Sequence, residues 1–236
     1  MTPSEFVGAL EAISLPSVFN PWRDRCPVHD VAEAAELRRR NLESFLKAGV
    51  AAKVRTMWIA RDLGYRGGRR TGVPLTDEVH LDAAATLLGG VSLTRATGGA
   101  PMAERTAAII WRVLGRIGSP VILWNVFPFH PHDNDDPMSN RCHTRLEREL
   151  TWPLLEALIE MVQPTRIIAI GRDASLALSD LGQETSAVRH PSYGGQAEFI
   201  SGMYDLYGVA PDGPVSRQLA FMDDDASWSA KRVAAC

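Results

Sequence analysis

Three polar residues stand just past runs of strand length: Asp62 after the apolar Val54 to Ala60, Asn125 after the apolar Val121 to Trp124, and His190 after the short Thr185 to Arg189. A carboxylate can activate water or stabilise a developing cation. An imidazole can donate a proton or a hydrogen bond near neutral pH, and a carboxamide presents a donor beside an acceptor. Together these groups could cleave a bond while reading a polar ligand. A second cluster sets Arg61, Arg66, Arg69 and Arg70 among Gly64, Gly67, Gly68 and Gly72, which reads as a small, flexible basic patch suited to phosphate. It matches neither GxxxxGK[ST] nor GxGxxG. A third stretch holds His130, His132, Asp133, Asp135, Asp136 and His143. Its Pro, Asn and Asp content fits solvated turns better than a metal centre, so no metal and no cofactor is expected.

The elements that must carry these groups follow from periodicity. The runs ending near Asp62 and Asn125, together with Arg166 to Gly171, read as buried strands, and Thr185 to Arg189 as a fourth, shorter one. Helical spacing appears from about Glu5 to Ile13, from an N-capping Asp30 through Leu46, and from Leu81 to Leu88. It returns from Met102 to Arg116, where Ala107, Ile110, Trp111 and Leu114 form one face, and from Thr144 to Val162, with a further helix through Ala174, Leu176 and Leu178. The Arg38-Arg39-Arg40 run is expected largely on the wet face of its helix. Strands alternating with helices imply a parallel sheet covered on both sides. The expected fold is an α/β three-layer sandwich with a central, mainly parallel four-stranded sheet, in which ligands bind beyond the carboxyl ends of the strands.

Composition sets outer bounds. With 236 residues and 45% hydrophobic content, the chain suffices for one substantial core. One domain over residues 1–213 is expected, followed by a tail at 214–236, acidic at Asp223 to Asp225 and partly disordered. The net charge of −3 argues against holding nucleic acid by bulk positive charge, so such contacts must be local. Cys26, Cys142 and Cys236 are widely spaced and read as free thiols in a reducing cytoplasm. No run approaches the ~20 apolar residues of a membrane span, and a monomer is expected.

The segment Ala60-Arg61-Asp62-Leu63-Gly64-Tyr65-Arg66-Gly67 resembles the first motif of uracil-DNA glycosylases, and His190-Pro191-Ser192 resembles the second. Between them, Leu123-Trp124-Asn125 resembles the strand whose terminal Asn reads uracil. Arg70 to Thr76 resembles the segment that supplies a base-stacking side chain. The likeness spans roughly residues 54 to 200. It implies the uracil-DNA glycosylase fold and hydrolysis of the N-glycosidic bond of uracil, with DNA containing uracil or related damaged bases as the partner. It further implies that Asp62 positions water and stabilises the sugar cation, and that His190 donates to the base oxygen. Asn125, Arg61, Gly64, Leu75 and Phe127 would surround the extruded base, while Arg66, Arg69, Arg70, Ser192 and Tyr193 would contact DNA.

The pattern departs from the best-known members at Gly64, where they carry a bulky Tyr that blocks a 5-methyl group. An open pocket with broad base use is therefore expected. Leu75 replaces a stacking Phe, and Phe127 or Phe129 is the nearest substitute. Two other readings remain: a catalytically weak DNA- or nucleotide-binding module of the same fold, and a nucleoside hydrolase or phosphate-binding protein of another α/β family.

Overall fold

The computed structural model describes residues 1–210, so the tail at 214–236 lies outside the described residues. The chain runs α1 (Pro3–Ala12), β1 (Val18–Phe19), α2 (Ala34–Ala51), β2 (Thr56–Ala60), α3 (Gly68–Thr71), a 3-10 turn (Glu78–His80), α4 (Leu81–Leu87) and α5 (Arg105–Ile117). It continues through β3 (Ile122–Asn125), β4 (His130–Pro131), α6 (Arg145–Val162), β5 (Arg166–Ile170), α7 (Arg172–Asp180), β6 (Ser186–Val188) and α8 (Gln196–Tyr207). The central sheet has the order β3-β2-β5-β6 and all its pairings are parallel. β1 and β4 form a separate antiparallel pair. This is the expected α/β sandwich.

β2, β3 and β5 are apolar at their inner positions because a parallel sheet is covered on both faces, whereas the edge strand β6 is partly exposed. Trp58, Ile59, Ile122, Leu123, Trp124 and Ile168 have no solvent exposure. Helices α1, α2 and α6 pack on one another, and α5 packs on α8. The connections from β2 to β3 and from β3 to β5 run in opposite directions across the sheet, so right-handed crossovers place α5 and α6 on opposite faces. Helix α6 starts where the sequence marks it, with a Thr144–Glu147 capping box. The apolar face expected on α5, Ala107, Ile110, Trp111 and Leu114, is buried. Among the described residues no helix is long and apolar enough to cross a membrane.

Two helix expectations need correction. Asp30 does not cap α2, which begins four residues later at Ala34. Its carboxylate instead accepts from the Cys26 N–H at 2.8 Å and from Arg38 at 2.8 Å. Nor does the arginine run lie wholly in water. Arg40 is exposed, but Arg38 is fully buried, donating also to the carbonyls of Pro21 at 2.6 Å and Asp24 at 2.8 Å. A buried guanidinium is tolerable only with such partners, and this one fastens the segment before α2 onto that helix.

Candidate functional site

The loops after β2 and β5 leave neighbouring strands in opposite directions, one toward β3 and the other toward β6. That divergence opens a crevice at the carboxyl edge of the sheet, the place where open α/β sheets bind ligands. A cavity of about 470 Å³ lies there. The β2 loop contributes Arg61, Asp62, Leu63 and Gly64, and the β5 loop contributes Gly171, Arg172 and Asp173. His190, Ser192 and Tyr193 close it from beyond β6, while Leu75, Glu104, Thr106, Asn140 and Arg141 complete the wall. Asp62 and His190, 128 positions apart in numbering by subtraction of their residue numbers, thus face one space.

Asp62 is held on both carboxylate oxygens. Arg61 Nε donates to Oδ2 at 2.7 Å, and His143 Nδ1 makes a short contact with Oδ1. Arg61 also donates to Asp173 at 2.7 Å. Burial works against the Arg61 charge, but the two carboxylates outweigh it and keep the guanidinium firmly protonated. His143 rests in turn on the Phe127 ring, with centroids 5.3 Å apart. The resulting His143–Asp62–Arg61–Asp173 chain reaches from the β2 loop to the start of α7.

His190 is set by its neighbours as a hydrogen-bond donor. The Ser192 backbone N–H can only donate, and it lies 3.1 Å from His190 Nδ1. Burial, followed by the positive charges of Arg61 and Arg189, pushes the imidazole down to about 4, against the pull of Asp173. The ring is therefore neutral at pH 7, and with Nδ1 accepting, its proton sits on Nε2. Glycine makes this placement feasible: a Cβ on Gly195 would collide with the His190 carbonyl, so only glycine lets the start of α8 approach so closely.

Other expected site residues divide into four groups. Arg61, Gly64, Leu75, Ser192 and Tyr193 line the cavity with Asp62 and His190. Tyr193 is 96% exposed at φ 52°, held outward on a left-handed turn before Gly194, whereas Arg66 is exposed beside the Tyr65 ring. Asn125 and Phe127 do not line the cavity and have no solvent exposure. The Asn125 amide donates to the Asp62 carbonyl at 2.9 Å, and its Oδ1 is buried without a donor among the described residues. Both residues thus sit behind the cavity wall and not on it.

Arg69 and Arg70 are also corrected. They are 2% and 6% exposed because the Gly-rich segment folds into α3 and turns them inward. Arg69 bonds His130 Nδ1 at 3.0 Å and covers the Phe19 ring, while Arg70 pairs with Glu78 at 3.1 Å and Thr97 at 3.1 Å. These guanidiniums tie the loop to the body and are not available to phosphate. The space at Gly64, expected to be open, is occupied. The Glu104 carboxyl fills that space, so a Cβ on Gly64 would strike Oε1 and one on Gly67 would strike Oε2.

Sequence reasoning missed His143, Glu104, Arg172 and Arg189 as site residues. His143 belonged to a stretch that looked like turns. Glu104 looked like an ordinary helix start, and the two arginines lay outside every motif. Among the described residues no three His, Cys, Asp or Glu side chains gather to hold a metal ion.

Fold and cleft together define an α/β protein with a cavity at the switch point of a four-stranded parallel sheet. The crystal structure of wild-type Pedobacter heparinus SMUG2 is similar, with a TM-score of 0.59 and 14% identity over 88% of this chain and 96% of that one. At that identity the likeness shows the fold, which is of the uracil-DNA glycosylase type. No protein-family model and no curated protein sequence matches the chain.

Proposed function

We propose that this protein is a DNA glycosylase that hydrolyses the N-glycosidic bond of uracil, and of other deaminated bases, in DNA, the first step of base excision repair. The observation that carries this reading is one cavity lined by both a carboxylate, Asp62, and a neutral imidazole donor, His190. Breaking the bond places positive charge on the sugar and negative charge on the departing base, as in oxocarbenium-like glycoside cleavage. Asp62 would face the sugar, stabilise that cation and orient the attacking water, with His143 and Arg61 fixing both of its oxygens. The Nε2–H of His190 would stabilise the base anion, where a donor already in place costs no reorganisation.

A base reaches such a cavity only when turned out of the helix. Tyr193, held outward beside the cavity, is suited to fill the gap it leaves. Arg66, Arg172 and Arg189 are exposed around the cavity and its first loop, and would take flanking phosphates together with Ser192. The protein would act as a monomer in the cytoplasm, with residues 1–213 as its working domain.

One feature favours the second reading, a binding module that no longer cleaves: both Asp62 oxygens are engaged within the protein itself. The deciding measurement is single-turnover excision from oligonucleotides carrying uracil, hypoxanthine or xanthine, developed with alkali on a denaturing gel. Wild type is expected to cut at the damaged base, and Asp62→Asn to lose at least about 100-fold in rate, the scale of a positioned acid–base group, while binding persists. Binding without excision of any of these bases would establish the module instead.

A further inference from the structure

Glu104 occupies the helix-capping position of α5, yet its side chain makes no capping hydrogen bond. Its backbone N–H is pinned by Asp77 Oδ2 at 2.6 Å, and Asp77 is itself fully buried, with Oδ1 taking the His80 N–H at 3.0 Å. With its backbone so anchored, Glu104 lines the cavity, and its carboxyl sets one oxygen above Gly64 and the other above Gly67. Among the described residues no hydrogen bond or ion pair meets that carboxyl. A Cβ on either glycine would push the carboxyl, the free end of a flexible side chain, out of this place.

We propose that Glu104 is a specificity-determining residue of the cavity: its carboxyl group is the polar wall that the edge of an extruded base meets over Gly64 and Gly67. The inference rests on the glycosylase reading above and deepens it. A carboxylic acid can donate to a carbonyl oxygen or a ring nitrogen while its other oxygen accepts from an N–H. Uracil and the deaminated purines present a keto oxygen to such a wall, and thymine presents the same O4 with a methyl group beside it. That methyl, unlike the small C5–H of uracil, crowds a carboxyl oxygen and takes it from water without a hydrogen bond in return. The wall therefore selects against 5-methylated pyrimidines, without a bulky side chain on the β2 loop. Burial, and next the negative charge of Asp77, pushes the carboxyl up to about 7, with Arg66 opposing. The donor form is thus substantially populated at neutral pH.

The test compares wild type, Glu104→Ala and Glu104→Gln on oligonucleotides carrying uracil or thymine at one mismatch, measuring excision and, by anisotropy, binding. Glu104→Ala should raise the thymine-to-uracil ratio by about tenfold or more, the lower range for one methyl group in a pocket. Glu104→Gln, which keeps a donor and an acceptor of the same size, should keep the wild-type ratio within about twofold. It should also lose a titration near pH 7 from the uracil profile. A Glu104→Ala ratio equal to wild type, or a Glu104→Gln profile that still titrates there, would overturn the wall. If wild type excises no base, the glycosylase reading fails on its own. The same ratio, read from binding, then judges Glu104: a tenfold shift supports it and an unchanged ratio overturns it.

Discussion

Asn125 shows how much of a residue's role depends on an ångström-scale environment. It closes β3 beside Ala60 in the parallel register, one strand from the Asp62 loop. From there its amide reaches the Asp62 carbonyl and not the cavity. Replacing it with Asp would remove the donor and set carboxylate oxygens against that carbonyl. Asn125→Asp is accordingly expected to cost about 1–3 kcal/mol of stability, read from urea midpoints, and to slow excision without changing the uracil-to-cytosine ratio. A changed ratio would restore Asn125 as the base reader. His143 carries a parallel expectation. In His143→Ala the Asp62 carboxylate loses one of its two side-chain partners, so the single-turnover rate should fall by about tenfold or more while DNA affinity stays within about twofold; a loss confined to affinity would remove His143 from the chemistry.

At the scale of elements, the start of α5 and the turn before α8 form a unit. Thr106 and Ser192 approach to 3.4 Å between hydroxyl oxygens, and Gly195 lets α8 begin against His190. Beside them lies a second cleft, lined by Arg105, Ala108, Ile109 and Arg112 of α5 and by Gln196 at the start of α8. Arg105 and Arg112 are two helical turns apart and share a face, continuing the basic side chains of the cavity rim along the outside of the molecule. If DNA follows this track, the double variant Arg105→Ala/Arg112→Ala weakens binding uniformly across sequences. It should also flatten the plot of log K against log salt by about 1.4–1.8, two phosphates' worth of released counterions. A slope equal to wild type would place the strand elsewhere.

At the scale of the whole molecule, a buried imidazole, a half-buried one and one carboxyl couple stability to pH with opposite signs. His130 is pushed down to about 3, by burial first and then by the Arg69 charge, and His190 to about 4. The unfolded chain takes up these protons first, near ~6.5. The stability contributed by neutral burial is therefore complete above that pH and lost as pH falls toward 4 and 3. Glu104, raised to about 7 from an ordinary 4.5, contributes fully below pH 4.5 and loses its contribution as pH rises toward 7. Between pH 7 and 5, Glu104→Gln is thus expected to lose stability on acidification more steeply than wild type, by up to about 1.4 kcal/mol per pH unit. His190→Asn should lose it less steeply. Urea melts at several pH values check both, and identical slopes in all three proteins would remove these groups as the source.

The sequence by itself determined the sheet, because continuous apolar runs such as Ile122–Trp124 and Ile167–Ile170 can be satisfied only between two covering layers. It also brought Asp62 and His190 to one edge, since each follows a strand and a parallel sheet sends every such end the same way. Only the tertiary structure decided which neighbours meet there. Arg69 and Arg70 look like a phosphate patch in a Gly-rich string, but the chain turns them inward to Glu78, Thr97 and His130. Glu104 and His143 lie 42 and 81 residues past Asp62 by subtraction of their numbers, and no local spacing ties them to it. Local periodicity reports which face of an element is dry; the partner of a buried charge is chosen by contacts distant in the chain, and here those contacts shape the site.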